Sequence, residues 1–285
     1  MNISPPITIM KLYLKTKDFS VSGESFELHR DSNLDMLVTR PVPGNIADYY
    51  ESENYISHTD AQKTFTDKLY QAVKRKNLKN KIQLIDNQSV ILKSLLDIGA
   101  GTGDFLATAE KAGFTISGVE PNTKARQLAA TKGVELNSEL AELKGEQFQV
   151  ITLWHVLEHL PNLEEQIKTI ISLLRDDGTL VIAVPNFKSF DAKHYGRYWA
   201  GFDVPRHLWH FSKTAITKLF QQHQMEVVSI RPMWFDAFYV SMLSEKYKGN
   251  KLYLISAFFV GLWSNLKAIF TKEHSSLIYI LKRKN

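Results

Sequence analysis

Twelve residues, L-L-D-I-G-A-G-T-G-D-F-L at 95–106, constrain this chain more than any other stretch. Residues 94–98 are short and mostly apolar, with one acid at Asp97, and lead straight into glycine. That is the pattern of a strand buried on both faces of a parallel sheet. From Asp104 the small and apolar residues Leu106, Ala109 and Ala112 recur near helical spacing. Gly99, Gly101 and Gly103 therefore sit where a strand turns into a helix. Glycine there opens backbone conformations closed to other residues and lets a ligand come close to the main chain. The turn is expected to be a cofactor cradle in an α/β fold.

Glycine turns serve several cofactors, and spacing separates them. The dinucleotide fingerprint G-x-G-x-x-G needs glycine or alanine where this chain has Asp104. A phosphate loop ends in Gly-Lys-Ser or Gly-Lys-Thr, and no such run follows here. An acid just past the turn is also poorly matched to a negatively charged pyrophosphate at a helix start. What remains is a Gly-x-Gly-x-Gly turn preceded by Asp97, suited to a cofactor with a cationic amino-acid end. A nicotinamide-dependent oxidoreductase stays as an alternative that Asp104 disfavours.

Further strands follow in order. Residues 115–120 read as a second buried strand ending in Glu120. Doubly wound sheets bind ligands at the carboxyl ends of their strands, so Glu120 is expected in the crevice beside the glycines. A carboxylate there can accept hydrogen bonds from both hydroxyls of a ribose. Pro121-Asn122-Thr123 starts a helix that Gly133 ends. Residues 134–136 read as a brief third strand, 148–153 as a fourth that delivers Trp154 and His155, 179–184 as a fifth, 225–231 as a sixth and 276–282 as a seventh, antiparallel one. Strands alternating with helices imply right-handed crossovers and a mostly parallel sheet.

With the first motif at 95–106, S-G-V-E-P-N at 117–122 and the W-H-V-L-E-H-L core at 154–160, the chain resembles the class I S-adenosylmethionine-dependent methyltransferases. The likeness covers roughly residues 90–232. It implies a doubly wound, Rossmann-like, seven-stranded sheet. S-adenosyl-L-methionine would be held by Asp97, Gly99, Gly101, Gly103, Glu120, Pro121, Leu140, Trp154 and His155. Asp97 and the glycines would orient the methionine end, Leu140 would lie near the adenine, and Trp154 with His155 would wall the methyl side. The run D-V-P-R-H-L-W-H-F-S at 203–212 is similar to one in methyltransferases akin to the quinone-biosynthesis O-methyltransferases. That implies a small-molecule acceptor methylated at oxygen. A histidine near neutral pKa can take a hydroxyl proton as its oxygen attacks a methyl group, which makes His207 the first candidate base and His210 the second. The competing reading is that both hold the 191–211 loop through backbone hydrogen bonds. A methyltransferase-like binding module without turnover is the other open class.

His155-Val156-Leu157-Glu158-His159 also matches the H-x-x-E-H pattern of some zinc peptidases. Zinc would need both histidines on one helix face, and Pro161 follows too soon for such a helix. The chain has no cysteine, so thiolate metal sites are excluded, and no metal is expected. The absence of cysteine fits a reducing compartment, and residues 1–10 lack the basic start and apolar core of a secretory signal. A cytoplasmic location is expected. The net charge of +5 is spread along the chain, and the cluster from Lys74 to Lys81 reads as a solvated helix face, so nucleic-acid binding is not expected.

Residues 1–59 are expected to form a strand-rich arm or small cap, with Tyr49, Tyr50, Tyr55 and His58 as either a lid or a packed linker. Residues 60–285 would be the methyltransferase domain, entered by a helix capped at Thr59-Asp60 with Phe65, Leu69, Ala72 and Val73 on its apolar face. Residues 232–275 form a helical insertion before the last strand. Within it 252–266 carry no charge, short of the roughly 20 apolar residues a spanning helix needs. The main expectation is a helix packed on the core or over the substrate pocket. Attachment to a membrane surface is the alternative.

Overall fold

The computed structural model of the chain describes residues 10–46, 49, 65–88 and 92–284. Residues 1–9 of the expected arm, Tyr50, Tyr55, His58 and the Thr59-Asp60 cap lie outside them, as do the side chains of Phe65, Leu69, Ala72 and Val73.

Among the described residues the central sheet has six strands in the order β5-β4-β6-β7-β10-β9. These are β4 Ser94–Ile98, β5 Thr115–Val119, β6 Phe148–Trp154, β7 Leu174–Pro185, β9 Met225–Pro232 and β10 Ser276–Arg283. The first four run parallel, and β10 is antiparallel to both β7 and β9. Seven strands were expected, and the third is the one that differs. Residues 134–136 form no ladder, and one parallel bridge between Val119 and Asn137 stands at that edge. Three residues between Gly133 and the polar pair Asn137-Ser138 are too few to extend a ladder. The fifth strand also starts earlier than its apolar run, at Leu174, because 175–178 are taken up in an irregularity opposite Phe148 and Val150.

Alternation along the strands divides the core between two faces. Leu96, Ile98, Ile151, Leu153, Leu180 and Ile182 point to one side, where α4 Leu163–Ser172 and α6 Lys213–Gln221 cover them. Leu95, Val150, Val181, Ala183 and Ile278 point to the other, against α1 Phe65–Asp86 and α2 Asp104–Lys111. Each fully buried side chain of this kind contributes about 1.5–3 kcal/mol. α3 Thr123–Ala130 is capped by Asn122, whose side chain accepts from the Ala125 N–H at 3.0 Å.

A second, antiparallel sheet runs β1-β2-β3-β8, built from β1 Lys11–Lys17, β2 Ser25–Asp31, β3 Met36–Arg40 and the two-residue β8 Trp209–His210. The strand-rich arm is thus joined by a strand from the loop that follows β7. That loop also carries α5 Phe190–Tyr195. Arg206 ties the two parts together: it is buried and donates to Asp18, Ser20, Asp203 and the Tyr49 carbonyl. Between β9 and β10 the insertion folds as α7 Asp236–Tyr247 and α8 Tyr253–Thr271, packed against each other.

Candidate cofactor site

The carboxyl ends of β4, β5 and β6 meet at the glycine turn. The backbone leaves β4 with the Gly99 and Ala100 N–H groups both donating to the Val119 carbonyl, at 2.8 and 3.0 Å. Gly99, Gly101 and Gly103 have φ of 72°, 54° and 75°, the left-handed region that favours glycine. Their surroundings differ. A Cβ on Gly99 would collide with Val156, and one on Gly103 would stand 2.9 Å from Ala129 Cβ, whereas one on Gly101 would meet nothing within 4 Å. Gly99 and Gly103 are needed for packing, and Gly101 leaves open space beside the main chain.

Asp97 lies under the turn, 3% exposed, and accepts from Thr152 Oγ1 at 2.5 Å. Burial pushes its carboxyl up to about 7, against the opposing pull of Thr152 and Lys81 and with a further push from Glu120. Glu120, half-buried at the end of β5, accepts from the Gly101 N–H at 2.9 Å and the Asn122 N–H at 2.9 Å. A carboxylate offers about four lone-pair sites, so two further donors can still be received. Pro121 is exposed, and its carbonyl accepts from Arg126 at 2.8 Å. Leu140 opens a short helical turn, Leu140–Leu143, half-buried against the core cluster that contains Ile98 and Val119. The motif residues from β4 and β5 therefore converge. Asp104, used above to argue against a pyrophosphate, is paired with Lys74 at 2.7 Å and Lys132 at 2.9 Å. Both lysines offset its charge, so the glycine spacing rather than the acid disfavours a dinucleotide here.

At the end of β6, Trp154 is half-buried and His155 takes φ 58°. His155 lies between two carboxylates, with Nε2 3.1 Å from Asp236 and Nδ1 3.4 Å from Glu158. Burial disfavours its charged form, but the two carboxylates outweigh burial and lift its pKa to about 10, which makes it an imidazolium at neutral pH. Asp236, at the start of α7, was not anticipated from the sequence. Nor was Lys81. Its Nζ stands 4.2 Å from the Trp154 ring centroid, and burial lowers its pKa to about 8 against the pull of Asp97 and Asp236. A signal did exist: Lys81 falls on the same helical stripe as Leu78, Ile82 and Ile85, all packed on the core, so it does not belong to a solvated face. A cavity of about 360 Å³ reaches this point, lined by Lys81, Arg231, Trp234, Asp236, Ile278 and Ile280 among others.

His207 and His210 lie apart from that cavity. His207 is buried, with Nδ1 3.0 Å from the Gly201 carbonyl and Nε2 4.0 Å from Glu158 Oε1. One carboxylate thus stands between His155 and His207. His210 belongs to β8 and has Nε2 3.0 Å from Thr39 Oγ1. Burial holds its pKa well below the ordinary histidine value. The H-x-x-E-H run does not form the helix a zinc peptidase needs: only Leu157–His159 is helical, as a single tight turn. His159 points its Nδ1 at the Arg206 carbonyl, 3.1 Å away, and burial lowers its pKa to about 4. Glu158, His159 and His207 nevertheless bring one possible ligand atom each within 4.8 Å of one another, a geometry that ion pairing of a buried glutamate also produces.

The family described as methyltransferase domain matches residues 60–230. This chain belongs to that family. A ubiquinone biosynthesis O-methyltransferase of Aeromonas salmonicida is 32% identical over 104 residues, which is 33% of this chain and 44% of that protein. The corresponding protein of Actinobacillus pleuropneumoniae is 29% identical over 108 residues, 33% of this chain and 46% of its own length. The chain thus spans less than half the length of these curated relatives. Among solved structures, a magnesium protoporphyrin IX methyltransferase from Synechocystis with S-adenosylhomocysteine bound aligns at TM-score 0.55 and 15% identity, over 84% of this chain and 98% of that one. The cyclase SpnF aligns at TM-score 0.51 and 14% identity, over 72% and 80%. Both share the Rossmann-like fold of this chain. A cyclase among them means that the fold alone does not name the reaction.

Proposed function

We propose that this methyltransferase uses S-adenosyl-L-methionine to methylate a small molecule at oxygen. One observation carries the reading: the Lys81 ammonium rests on the Trp154 face and feels the charge of Asp97, the residue two before the glycine turn. A position that accepts a cation between an aromatic ring and a buried carboxylate suits the charged end of that cofactor. Asp97 and the glycine turn would hold its methionine portion, Glu120 its ribose hydroxyls, Leu140 its adenine side, and Trp154 with His155 the methyl side. When bound, the cofactor supplies a methyl group on a sulfonium. The chain's own contribution is to position the acceptor and to accept its proton.

His207 is the proposed base. Donation from Nδ1 to the Gly201 carbonyl leaves Nε2 with the lone pair, and the Glu158 carboxylate would hold the imidazolium formed there. His210 is read as its packed neighbour. The protein is proposed to work in the cytoplasm, with residues 252–266 touching a membrane surface.

Calorimetric titration with S-adenosylhomocysteine and turnover of methyl-labelled cofactor with a cell extract test this together. Glu120→Ala is expected to weaken cofactor binding about tenfold or more. His207→Asn is expected to lower turnover about 100-fold with cofactor affinity unchanged. Cofactor affinity equal to the parent chain in Glu120→Ala would overturn the site. Undiminished turnover in His207→Asn would remove the base role from His207, and Asp236, which faces the cavity, would be the next group to test.

A further inference from the structure

The insertion ends in a helix whose usual polarity is reversed. α8 turns Ala257, Gly261, Ser264, Asn265 and Ala268 toward the protein, all small or polar. Leu254, Ile255, Phe258, Phe259, Trp263 and Phe270 stand more than half exposed, Phe270 at 86%. A helix that serves a globular core buries its large apolar side chains. Close packing explains the inner face: a Cβ on Gly261 would lie 3.0 Å from the Ala237 carbonyl oxygen. Ser264 donates to the buried Asp191 at 2.7 Å, and Asn265 donates to the Trp234 carbonyl at 2.9 Å. These contacts hold α8 along its length, so its apolar face is a fixed outer surface.

We propose that α8 docks flat on an anionic lipid surface, with its large apolar side chains at the boundary between headgroups and acyl chains. The charge around it selects that partner. From Lys246 to Lys272 the sequence has five lysines, at 246, 248, 251, 267 and 272, and no acid, and all five are exposed. Lysine stems lie along apolar surface while their ammonium groups reach phosphates. A second copy brought onto this face by a two-fold axis would set lysines against lysines, which opposes self-association. The helix has the length and composition to cross a membrane, but crossing would strip Ser264 from Asp191 and Asn265 from Trp234. It therefore lies in the interface. Trp263 suits that depth, with an apolar ring and one polar edge. This docking rests on the membrane contact proposed above and is independent of methyl transfer.

Flotation of the full chain with vesicles of phosphatidylcholine alone, and of phosphatidylcholine with phosphatidylglycerol, tests it. The chain is expected to float with the anionic vesicles, with about tenfold less recovered on the neutral ones and release at high salt. Phe259→Ser combined with Phe270→Ser is expected to lower recovery about tenfold or more, because both rings leave the lipid. The melting temperature and S-adenosylhomocysteine affinity of that variant in solution should be unchanged. Lys251→Gln combined with Lys267→Gln should reduce the preference for anionic vesicles. A chain that binds S-adenosylhomocysteine but floats with neither vesicle overturns the docking and leaves the cofactor reading intact. A chain that floats but does not bind S-adenosylhomocysteine supports the docking and counts against that reading. A dimer that Phe259→Ser with Phe270→Ser converts to monomer, without flotation of either form, overturns the docking in favour of a second copy.

Discussion

Alanine at Gly101 and at Gly103 separates the cradle from the fold. Both glycines hold left-handed backbone, so alanine at either costs about 1–2 kcal/mol in strain. What the added methyl meets is different. At Gly103 it lies 2.9 Å from Ala129 Cβ and 3.2 Å from Val134 Cβ, on two buried residues, and such overpacking adds about 1–3 kcal/mol. At Gly101 nothing lies within 4 Å, so strain is the whole cost. Gly103→Ala is therefore expected to lower the melting temperature by roughly 5–15 °C, and Gly101→Ala by roughly 2–6 °C. Cofactor affinity should change in the opposite order. The Gly101 methyl enters the space assigned to the ligand and should weaken S-adenosylhomocysteine binding about tenfold, or about 1.4 kcal/mol. Gly103→Ala, assayed well below its melting temperature, should bind within a few-fold of the parent. Scanning calorimetry without ligand and titration calorimetry with it provide both numbers. Parental affinity in Gly101→Ala would refute the assignment of that space to a ligand, and equal stability of the two variants would refute the packing argument.

Two further outcomes follow from the buried charges. His155 has a folded pKa raised to about 10 from an ordinary 6.5, so its stabilisation is complete below pH 6.5 and is lost as pH rises through about 10. The pair with Asp236 is about one-third exposed on the histidine side, and solvent screening keeps the contribution near about 1 kcal/mol. Melting temperature followed from pH 6 to 10 should fall more steeply in the parent chain than in His155→Gln, and parallel curves would show that the ion pairs do not form. Asp97 has its folded pKa raised to about 7 from 3.8, so ionising it inside the protein weakens folding progressively between those values and fully above pH 7. Asp97→Asn is expected to raise stability at pH 8 by about 1–3 kcal/mol while weakening cofactor binding about tenfold. A loss of stability instead would mean that Lys81 needs the carboxylate more than burial penalises it.

The mostly parallel α/β sheet, the strand-to-helix turn at 95–106 and the meeting of Asp97, the glycines and Glu120 were all legible in the sequence. Each follows from a local period or from a strand end, and both are properties of neighbouring residues. The third strand was misread because Val134-Glu135-Leu136 alternates like a strand but is too short to supply a ladder. Lys81 was misread because a run of lysines looks solvated until the helical stripe through Leu78, Ile82 and Ile85 is followed.

The sequence by itself determined that an apolar, chargeless run lies at 252–266, that a glycine turn follows β4, and that histidines crowd 207–210. Tertiary structure alone decided that Asp236 meets His155, that β8 pairs with β3, that Glu158 stands between His155 and His207, and which face of α8 looks outward. Those pairings join residues far apart in the chain. Their geometry depends on how whole elements pack, and no local period encodes that.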